Sequence, residues 1–127
     1  MIEIKNRFSQ KIMVSGDCTL IELIQKHKAD LSRANLYGAD LSKANLYGAN
    51  LSGANGNMKQ IKSIMIDAWP VTYTTQILQI GCQRHPIEDW KTFDDNKISK
   101  MHNHALNWWK KYKELIFQEI ELSPAEI

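Results

Sequence analysis

The feature that most constrains the fold of this sequence is a repeat with a period of five residues. Within residues 29–55, which we call the repeat segment, alanine returns at every fifth position and leucine follows two positions behind each alanine. The alanines are Ala29, Ala34, Ala39, Ala44, Ala49 and Ala54, and the leucines are Leu31, Leu36, Leu41, Leu46 and Leu51. An α-helix or a flat strand would repeat about every 3.6 or 2 residues. The period of five therefore predicts a solenoid, in which each unit packs on its neighbours.

The repeat suggests a square coil in which each five-residue unit forms one side. Alanine and leucine would then face the axis, and about one and a half coils would form. Short polar side chains that bond the backbone in tight turns are expected at the corners. These corner residues are Asp30, Asn35, Asp40, Asn45 and Asn50. The sixth unit has Gly56 in place of its central leucine, so we expect the solenoid to end there and to need a cap at both ends.

The repeat segment follows the pattern A-[DN]-[LF]-x-x and resembles the pentapeptide-repeat family, with five intact units in register. This resemblance implies a short right-handed quadrilateral β-helix. Larger members of the family inhibit DNA gyrase by resembling DNA in shape and charge. This sequence departs from that pattern, because its repeat is short and its net charge is +2.

The chain is predicted to form one structural domain of mainly β class with α caps. Alternating residues at 2–7 and 11–16 predict a β-hairpin, and the capping-box spacing of Thr19 and Glu22 predicts a helix directly before the repeats. The domain has three parts: an N-terminal hairpin–helix cap at 1–28, the pentapeptide-repeat β-helix at 29–57, and a C-terminal strand–helix region at 58–127.

The C-terminal part is predicted to contain strands followed by one long amphipathic helix. Residues 71–82 are rich in β-branched side chains, which predicts two strands, with a bulge or a step between Ile77 and Leu78. The helix is predicted to begin at Asp94 or Asp95 and to end before Ser123. Its length would be about 35–40 Å, so its apolar face is expected to pack on something, for which a second copy of the chain is one candidate.

Composition excludes several classes of protein. The 127 residues carry 16 basic and 14 acidic side chains, a balance that argues against a strong binder of duplex nucleic acid. We expect no membrane association, because no apolar run approaches the length of a bilayer span. The N-terminus has no hydrophobic signal segment, so we expect a cytoplasmic protein with Cys18 and Cys82 reduced.

The sequence offers no convincing catalytic or metal-binding motif. His102-Asn103-His104 is predicted to lie inside a helix, where side chains two positions apart point to different faces and cannot share a metal. Cys82 and His85 have a spacing that zinc can use, but no second pair completes a ligand set. Glycine patterns of nucleotide-binding enzymes are also absent from the sequence. We therefore predict no enzyme, no metal and no cofactor.

Aromatic and hydrogen-bonding side chains are concentrated in the second half of the chain, where all four tryptophans lie. The predicted ligand-binding residues are Trp69, Thr72, Gln79, Arg84, His85 and Trp90. Adjacent helical positions diverge by about 100°, so Trp108 and Trp109 are not expected to face one core. The predicted oligomerisation residues are Trp109, Tyr112 and Ile116.

Three functional hypotheses follow. The C-terminal block resembles the tail behind short pentapeptide tracts in small phage and prophage proteins of unassigned role. The first hypothesis is a non-catalytic protein that sequesters an anionic nucleotide-like ligand, such as a host signal of antiviral defence, near residues 69–93. The second is a protein-interaction module that inhibits a host protein. The third is an assembly protein without a soluble ligand. A homo-oligomer, a dimer or higher, is expected.

Overall fold

The computed structural model describes residues 1–42, 44–46 and 48–126 of the chain. These residues form a two-stranded and a four-stranded antiparallel sheet, four α-helices and a short 3-10 helix at Lys28–Asp30. The fold is therefore a mixture of strands and helices, whereas the sequence predicted a mainly β class. None of the described helices combines the length and the apolar character needed to cross a membrane.

The N-terminal part forms the predicted hairpin and helix. Strand β1 (Ile2–Lys5) pairs antiparallel with β2 (Ile12–Gly16), and helix α1 (Leu20–Lys26) follows. The hydroxyl oxygen of Thr19 accepts a hydrogen bond from the backbone N–H of Glu22 at 3.1 Å, and the Glu22 carboxylate accepts one from the Thr19 backbone at 3.5 Å. This capping box satisfies two N–H groups that would otherwise have no partner in the helix.

One backbone hydrogen bond recurs along the repeat segment. The backbone N–H of each alanine from 34 to 54 donates to the carbonyl of the leucine three residues earlier, at 2.9–3.1 Å. All five leucines are buried. The predicted corner side chains of Asn35, Asp40 and Asn50 each accept a hydrogen bond from the backbone N–H two residues further on. The alternation of inward apolar and outward polar positions thus follows the sequence pattern.

Contacts within the repeat segment also join positions about twenty residues apart. Asn35 and Asn55 form a parallel bridge, and the side-chain amide of Asn55 donates to the side-chain oxygen of Asn35 at 3.2 Å. The backbone N–H of Arg33 donates to the carbonyl of Ser52 at 2.8 Å. In the described part of the segment these contacts are isolated bridges and do not extend into a regular strand.

The chain leaves the repeat segment at Gly56. A Cβ atom on Gly56 would lie 2.9 Å from Cγ2 of Ile61 and in contact with the Ile61 carbonyl oxygen. Ile61 is completely buried among the leucines of the repeat segment. The side-chain oxygen of Asn57 accepts hydrogen bonds from the backbone N–H groups of Lys59 and Ile61, both at 3.0 Å. Ile61 thus fills space that a central leucine occupies in the earlier units.

A four-stranded antiparallel meander follows the repeat segment. Its strands, in spatial and in sequence order, are β3 (Lys62–Ile66), β4 (Trp69–Tyr73), β5 (Ile77–Ile80) and β6 (Gln83–Pro86). The predicted bulge or step near Ile77 is wrong. Ile77 and Leu78 are both apolar because they belong to one strand, β5, whose two faces are both buried. The turn from β4 lies before them, between Tyr73 and Ile77. The Thr74 hydroxyl oxygen accepts the backbone N–H of Ile77 at 3.2 Å within that turn.

The prediction of one long C-terminal helix is also wrong. Helix α2 spans Ile87–Thr92, and the predicted long helix is two elements, α3 (Asp95–Ser99) and α4 (Ala105–Leu122). The break contains a local bond in which the backbone N–H of His104 donates to Nδ1 of His102 at 3.1 Å. Such side-chain bonds compete with the helical pattern. Helix α4 alone is about 27 Å long, at about 1.5 Å per residue.

The described residues form two hydrophobic clusters. The first contains the buried residues of the hairpin, of α1 and of the repeat segment, together with Ile61. The second contains the helix-facing residues of the four-stranded sheet and the buried residues of α2, α3 and α4. The four-stranded sheet lies between the repeat segment and the three C-terminal helices, so its two faces serve different contacts.

Both adjacent tryptophans of α4 belong to the second cluster, contrary to the sequence-based expectation. The indole N–H of Trp108 donates to the carbonyl of Ile66 at 3.3 Å, whereas the Trp109 ring centroid lies 5.2 Å from that of Trp90. The divergent rings share one core because α4 contacts the sheet on one side and α2 and α3 on the other. Trp109 and Ile116 are 4% and 1% exposed, so neither offers a surface for oligomerisation.

Candidate functional site

The four-stranded sheet divides the predicted ligand-binding residues between its two faces. Neighbouring residues of a strand point to opposite faces, and directly paired residues share a face. Pairing places Ser63, Thr72, Gln79 and Arg84 in one row across the sheet. Gln79 and Thr72 bond the repeat segment, so this row faces the repeats. Trp69, His85 and Trp90 lie on the helix side, where their rings contact other aromatic rings. The six residues therefore do not form one site.

Gln79 and Thr72 hold the sheet against the repeat segment. The side-chain oxygen of Gln79 accepts the backbone N–H of Leu51 at 2.9 Å, and its amide nitrogen donates to the side-chain oxygen of Asn50 at 3.0 Å. The hydroxyl of Thr72 donates to the carbonyl of Leu51 at 3.4 Å. Both side chains are buried. Their polar atoms are engaged within the protein, which gives them a structural role.

Two serines complete this junction and were missed by the sequence analysis. The hydroxyl of Ser52 donates to the carbonyl of Gly81 at 2.8 Å. The hydroxyl oxygen of Ser63 accepts the backbone N–H of Gly56 at 2.9 Å. In the sequence, Ser52 occupies a repeat position that should face water. Its hydrogen bond to Gly81 exists because the four-stranded sheet packs on this side of the repeat segment.

A polar groove opens where the repeat segment meets β6, and we call it the repeat–sheet groove. Its volume is about 420 Å³. Its lining residues are Ser32, Asn50, Ser52, Gln79, Cys82, Gln83, Arg84 and His85. These residues supply hydroxyl and amide groups and one guanidinium, and none of them carries a carboxylate. Among the described residues, no hydrogen-bond or ion-pair partner contacts the exposed Arg84 side chain.

A second, apolar cavity of about 100 Å³ lies on the helix side of the sheet. Its walls include Trp69, Trp90, Trp108 and Trp109, and it shares Cys82 and Gln83 with the repeat–sheet groove. The Trp90 indole N–H donates to the carbonyl of Leu78 at 2.8 Å, and the ring is 2% exposed. Trp90 therefore belongs to the core.

His85 lies against aromatic rings on this helix side. Its ring centroid is 5.3 Å from that of Trp90 and 5.0 Å from that of Phe93, both in edge-to-face geometry. Burial lowers the pKa of His85, and the positive charge of Lys97 lowers it further, while Asp89 acts in the opposite direction. The neutral imidazole is thus favoured, and its Nε2 lies 3.0 Å from the side-chain oxygen of Gln83.

The His102-Asn103-His104 tripeptide lies in the break between α3 and α4, not inside a helix as predicted. The two imidazole centroids are 5.7 Å apart, so the side chains approach each other. They border an open groove of about 500 Å³, in which the Tyr112 hydroxyl donates to the Asp67 carboxylate at 3.2 Å. Within residues 1–42, 44–46 and 48–126, His, Cys, Asp and Glu form no group of three or more that could hold a metal ion.

Comparison with known proteins bears on the repeat segment. This segment has a five-residue unit, in which the leucines are buried and a hydrogen bond from alanine to leucine recurs. Residues 27–55 match the family model "Pentapeptide repeats (8 copies)". The matched pentapeptide-repeat residues contribute one wall of the repeat–sheet groove, and the unmatched C-terminal sheet contributes the other. Neither the curated proteins nor the solved structures gave a match to this chain.

Proposed function

We propose that the protein is a non-catalytic binding protein of phage type that sequesters an anionic, nucleotide-like ligand. Binding is then its whole activity, and removal of a host signal from the host cytoplasm would inhibit antiviral signalling. The observation that supports this proposal is that Arg84, whose side chain has no partner among the described residues, borders a polar groove whose lining residues include no carboxylate.

The chemistry of the repeat–sheet groove suits a phosphate-bearing ligand. A guanidinium donates two parallel hydrogen bonds to a phosphate group, which gives both affinity and orientation. Amide groups of Asn50 and Gln83 border the same space. The groove volume of about 420 Å³ falls within the usual range of small-molecule sites, about 300–1,000 Å³.

The proposal includes a scaffold. We take the repeat segment to be a short right-handed quadrilateral β-helix, as its family resemblance implies. The parallel bridge between Asn35 and Asn55 supports four five-residue sides in each coil, because it joins residues twenty positions apart. The same spacing separates Ser32 and Ser52, and the Ser32 hydroxyl donates to the Ser52 carbonyl at 2.9 Å.

A thermal-shift screen with mononucleotides, dinucleotides and cyclic di- and trinucleotides tests the proposal. A ligand that binds only the folded protein raises its melting temperature. Replacement of Arg84 by Gln should abolish the shift, whereas replacement of the exposed Lys100 by Gln should leave it unchanged. A shift that survives Arg84→Gln would place the ligand elsewhere, and the absence of any shift would refute the function.

A second candidate function is a protein-interaction module that inhibits a host protein. In the described part of the chain, β3 is an edge strand that pairs only with β4, and its Ile64 and Met65 are 40% and 64% exposed. An extended segment of a partner can add a strand to such an edge. A purified host protein that binds the wild type but not the Met65→Lys variant would support this candidate.

A further inference from the structure

We infer that Arg7, Arg33 and Arg84, the three arginines of the sequence, form one binding cluster around Ser52–Gly53 for a ligand with two phosphate groups. All other basic residues of the chain, apart from histidines, are lysines. The inference rests on the proposed function and specifies how the ligand of the repeat–sheet groove is held.

Two of the arginines meet at Gly53. The backbone N–H of Arg7 donates to the carbonyl of Arg33 at 2.8 Å, and Nη1 of Arg7 donates to the carbonyl of Gly53 at 3.3 Å. Cγ of Arg33 lies 3.4 Å from the place that a Cβ on Gly53 would take. The Arg7 guanidinium also lies 4.9 Å from the Phe8 ring centroid, which helps to fix its position.

The third arginine reaches the same region from the sheet. Arg84 lines the repeat–sheet groove together with Ser32 and Ser52, which directly precede Arg33 and Gly53 in sequence. The Ser32 hydroxyl donates to the Ser52 carbonyl at 2.9 Å, so the two serines are adjacent in space. Arg33 and Arg84 therefore border the same short stretch of backbone.

The guanidinium groups at this position are available to a ligand. Arg33 and Arg84 are exposed, and neither side chain has a hydrogen-bond or ion-pair partner among the described residues. Arg7 engages one of its two terminal nitrogens. The acidic residue nearest to Arg33 in sequence is Asp30, and its carboxylate lies 3.8 Å from Nδ1 of His27.

The backbone gives no reason for an arginine at position 33. Arg33 has a φ of +63°. Of the four matching places in later units, three are taken by Gly38, Gly48 and Gly53, with φ of +78°, +82° and +67°, and one is Lys43. Glycine adopts this left-handed conformation without steric penalty, whereas other residues pay for it. A ligand contact would account for the arginine side chain at this position.

Charge balance indicates the class of ligand. Three guanidinium groups carry three positive charges, and the groove lining contains no acidic side chain. One phosphate monoester carries about −1.5 to −2 charges at pH 7, so one phosphate leaves the cluster incompletely neutralised. A nucleoside diphosphate carries more negative charge than one monoester and matches the cluster better, whereas the two phosphodiesters of a cyclic dinucleotide carry only one negative charge each and match it no better than a monoester does.

Titration calorimetry with inorganic pyrophosphate, inorganic phosphate and a nucleoside diphosphate tests the inference. Pyrophosphate and the diphosphate should bind more tightly than phosphate. Arg33→Gly should weaken their binding by about tenfold or more, as expected for loss of a hydrogen bond to a charged group. The variant should retain the wild-type melting temperature or exceed it, because glycine accepts the left-handed backbone. Lys100→Gln is the charge-matched control and should bind as the wild type does.

The outcomes separate this inference from the proposed function. Nucleotide binding that depends on Arg84 but is unchanged by Arg33→Gly and Arg7→Gln would overturn the cluster and leave the proposed function intact. Absence of binding by pyrophosphate and by every nucleotide tested would overturn both. Arg33→Lys keeps the charge but not the planar fork, so it should weaken binding while retaining part of it.

Discussion

At the scale of a single residue, the sequence does not show whether Gln79 contacts a ligand or stabilises the fold. Its place among the polar and aromatic residues of the second half of the chain suggested a ligand contact. In the structure it is 4% exposed, and both ends of its amide bond the repeat segment at Leu51 and Asn50. The amide supplies the partner that the Leu51 N–H would otherwise lack. Its contribution is therefore to stability.

Replacement of Gln79 by Ala should lower the free energy of unfolding by about 1–3 kcal/mol, because the buried Leu51 N–H would lose its partner. Urea denaturation of the purified variant measures this change. Gln76→Ala is the matched control, since Gln76 is exposed, and it should alter stability little. Equal stability of both variants would show that Gln79 is not needed at the junction.

The pKa of His85 predicts a pH dependence of stability. Burial, reinforced by Lys97, lowers this pKa in the folded state, whereas the unfolded chain has the ordinary value of about 6.5. As the pH falls through 6.5, the unfolded state takes up a proton before the folded state does, and stability decreases. His85→Phe keeps a ring against Trp90 and should reduce this decrease. Urea denaturation at pH 7.5 and 5.5 measures how much the free energy of unfolding falls with pH in the wild type and in His85→Phe. An equal fall in the two proteins would contradict the assignment to His85.

Prediction of the site residues was limited because neighbouring side chains of a strand point to opposite faces of the sheet. The sequence analysis placed the predicted ligand near residues 69–93 because of their polar and aromatic content. It could not assign faces, because that requires the strand boundaries, and the turn before β5 was missed. Arg84 and His85 are neighbours in sequence and both border the repeat–sheet groove, yet only the His85 ring packs on Trp90.

At the scale of elements, local signals decided what could be predicted. The capping box at Thr19 and the five-residue repeat depend on side chains close in sequence, and the structure contains both. The break before α4 was missed, since the apolar spacing continues through it at Met101 and Ala105. A bond from the His104 backbone to His102 and the packing of α3 on α4 produce the break.

The start of α3 offers a direct test at this scale. The Asp94 carboxylate accepts the backbone N–H of Lys97 at 2.8 Å, so Asp94 and not Asp95 is the N-cap. Asp94→Ala should lower the free energy of unfolding by about 0.5–2 kcal/mol in chemical denaturation. Asp95→Ala removes only an exposed ion pair with Lys110 and should cost about 0–1 kcal/mol. The reverse order would contradict the capping assignment.

At the scale of the whole molecule, two hydrophobic clusters are joined by a polar junction. The repeat segment cannot satisfy its last backbone groups alone, and the sheet supplies partners through Gln79, Thr72 and Ser63. Stacked repeats need such a cap for stability. The sequence predicted that a cap is required, but the pairing of distant residues that builds it has no local signature.

This coupling predicts one cooperative unfolding transition. Trp90, Trp108 and Trp109 lie in the second cluster and Trp69 packs against it, so tryptophan fluorescence reports on that cluster alone. Far-ultraviolet circular dichroism reports on both parts. The two signals should change at the same urea concentration if the junction holds the clusters together. A dichroism change at lower urea than the fluorescence change would show that the repeat segment unfolds independently.

Asn35 and Asn55 are in contact and are twenty residues apart. This spacing limits the lengths of insertions that the repeat segment can accept. In the proposed quadrilateral β-helix, duplication of residues 31–50 would lengthen the stack and return the chain to the same orientation, so the sheet would meet the same side as before. In that proposed architecture, insertion of five or ten residues would turn the exit point by a quarter or half revolution and separate Arg84 from Arg33. Length variation among functional variants should therefore occur in multiples of twenty.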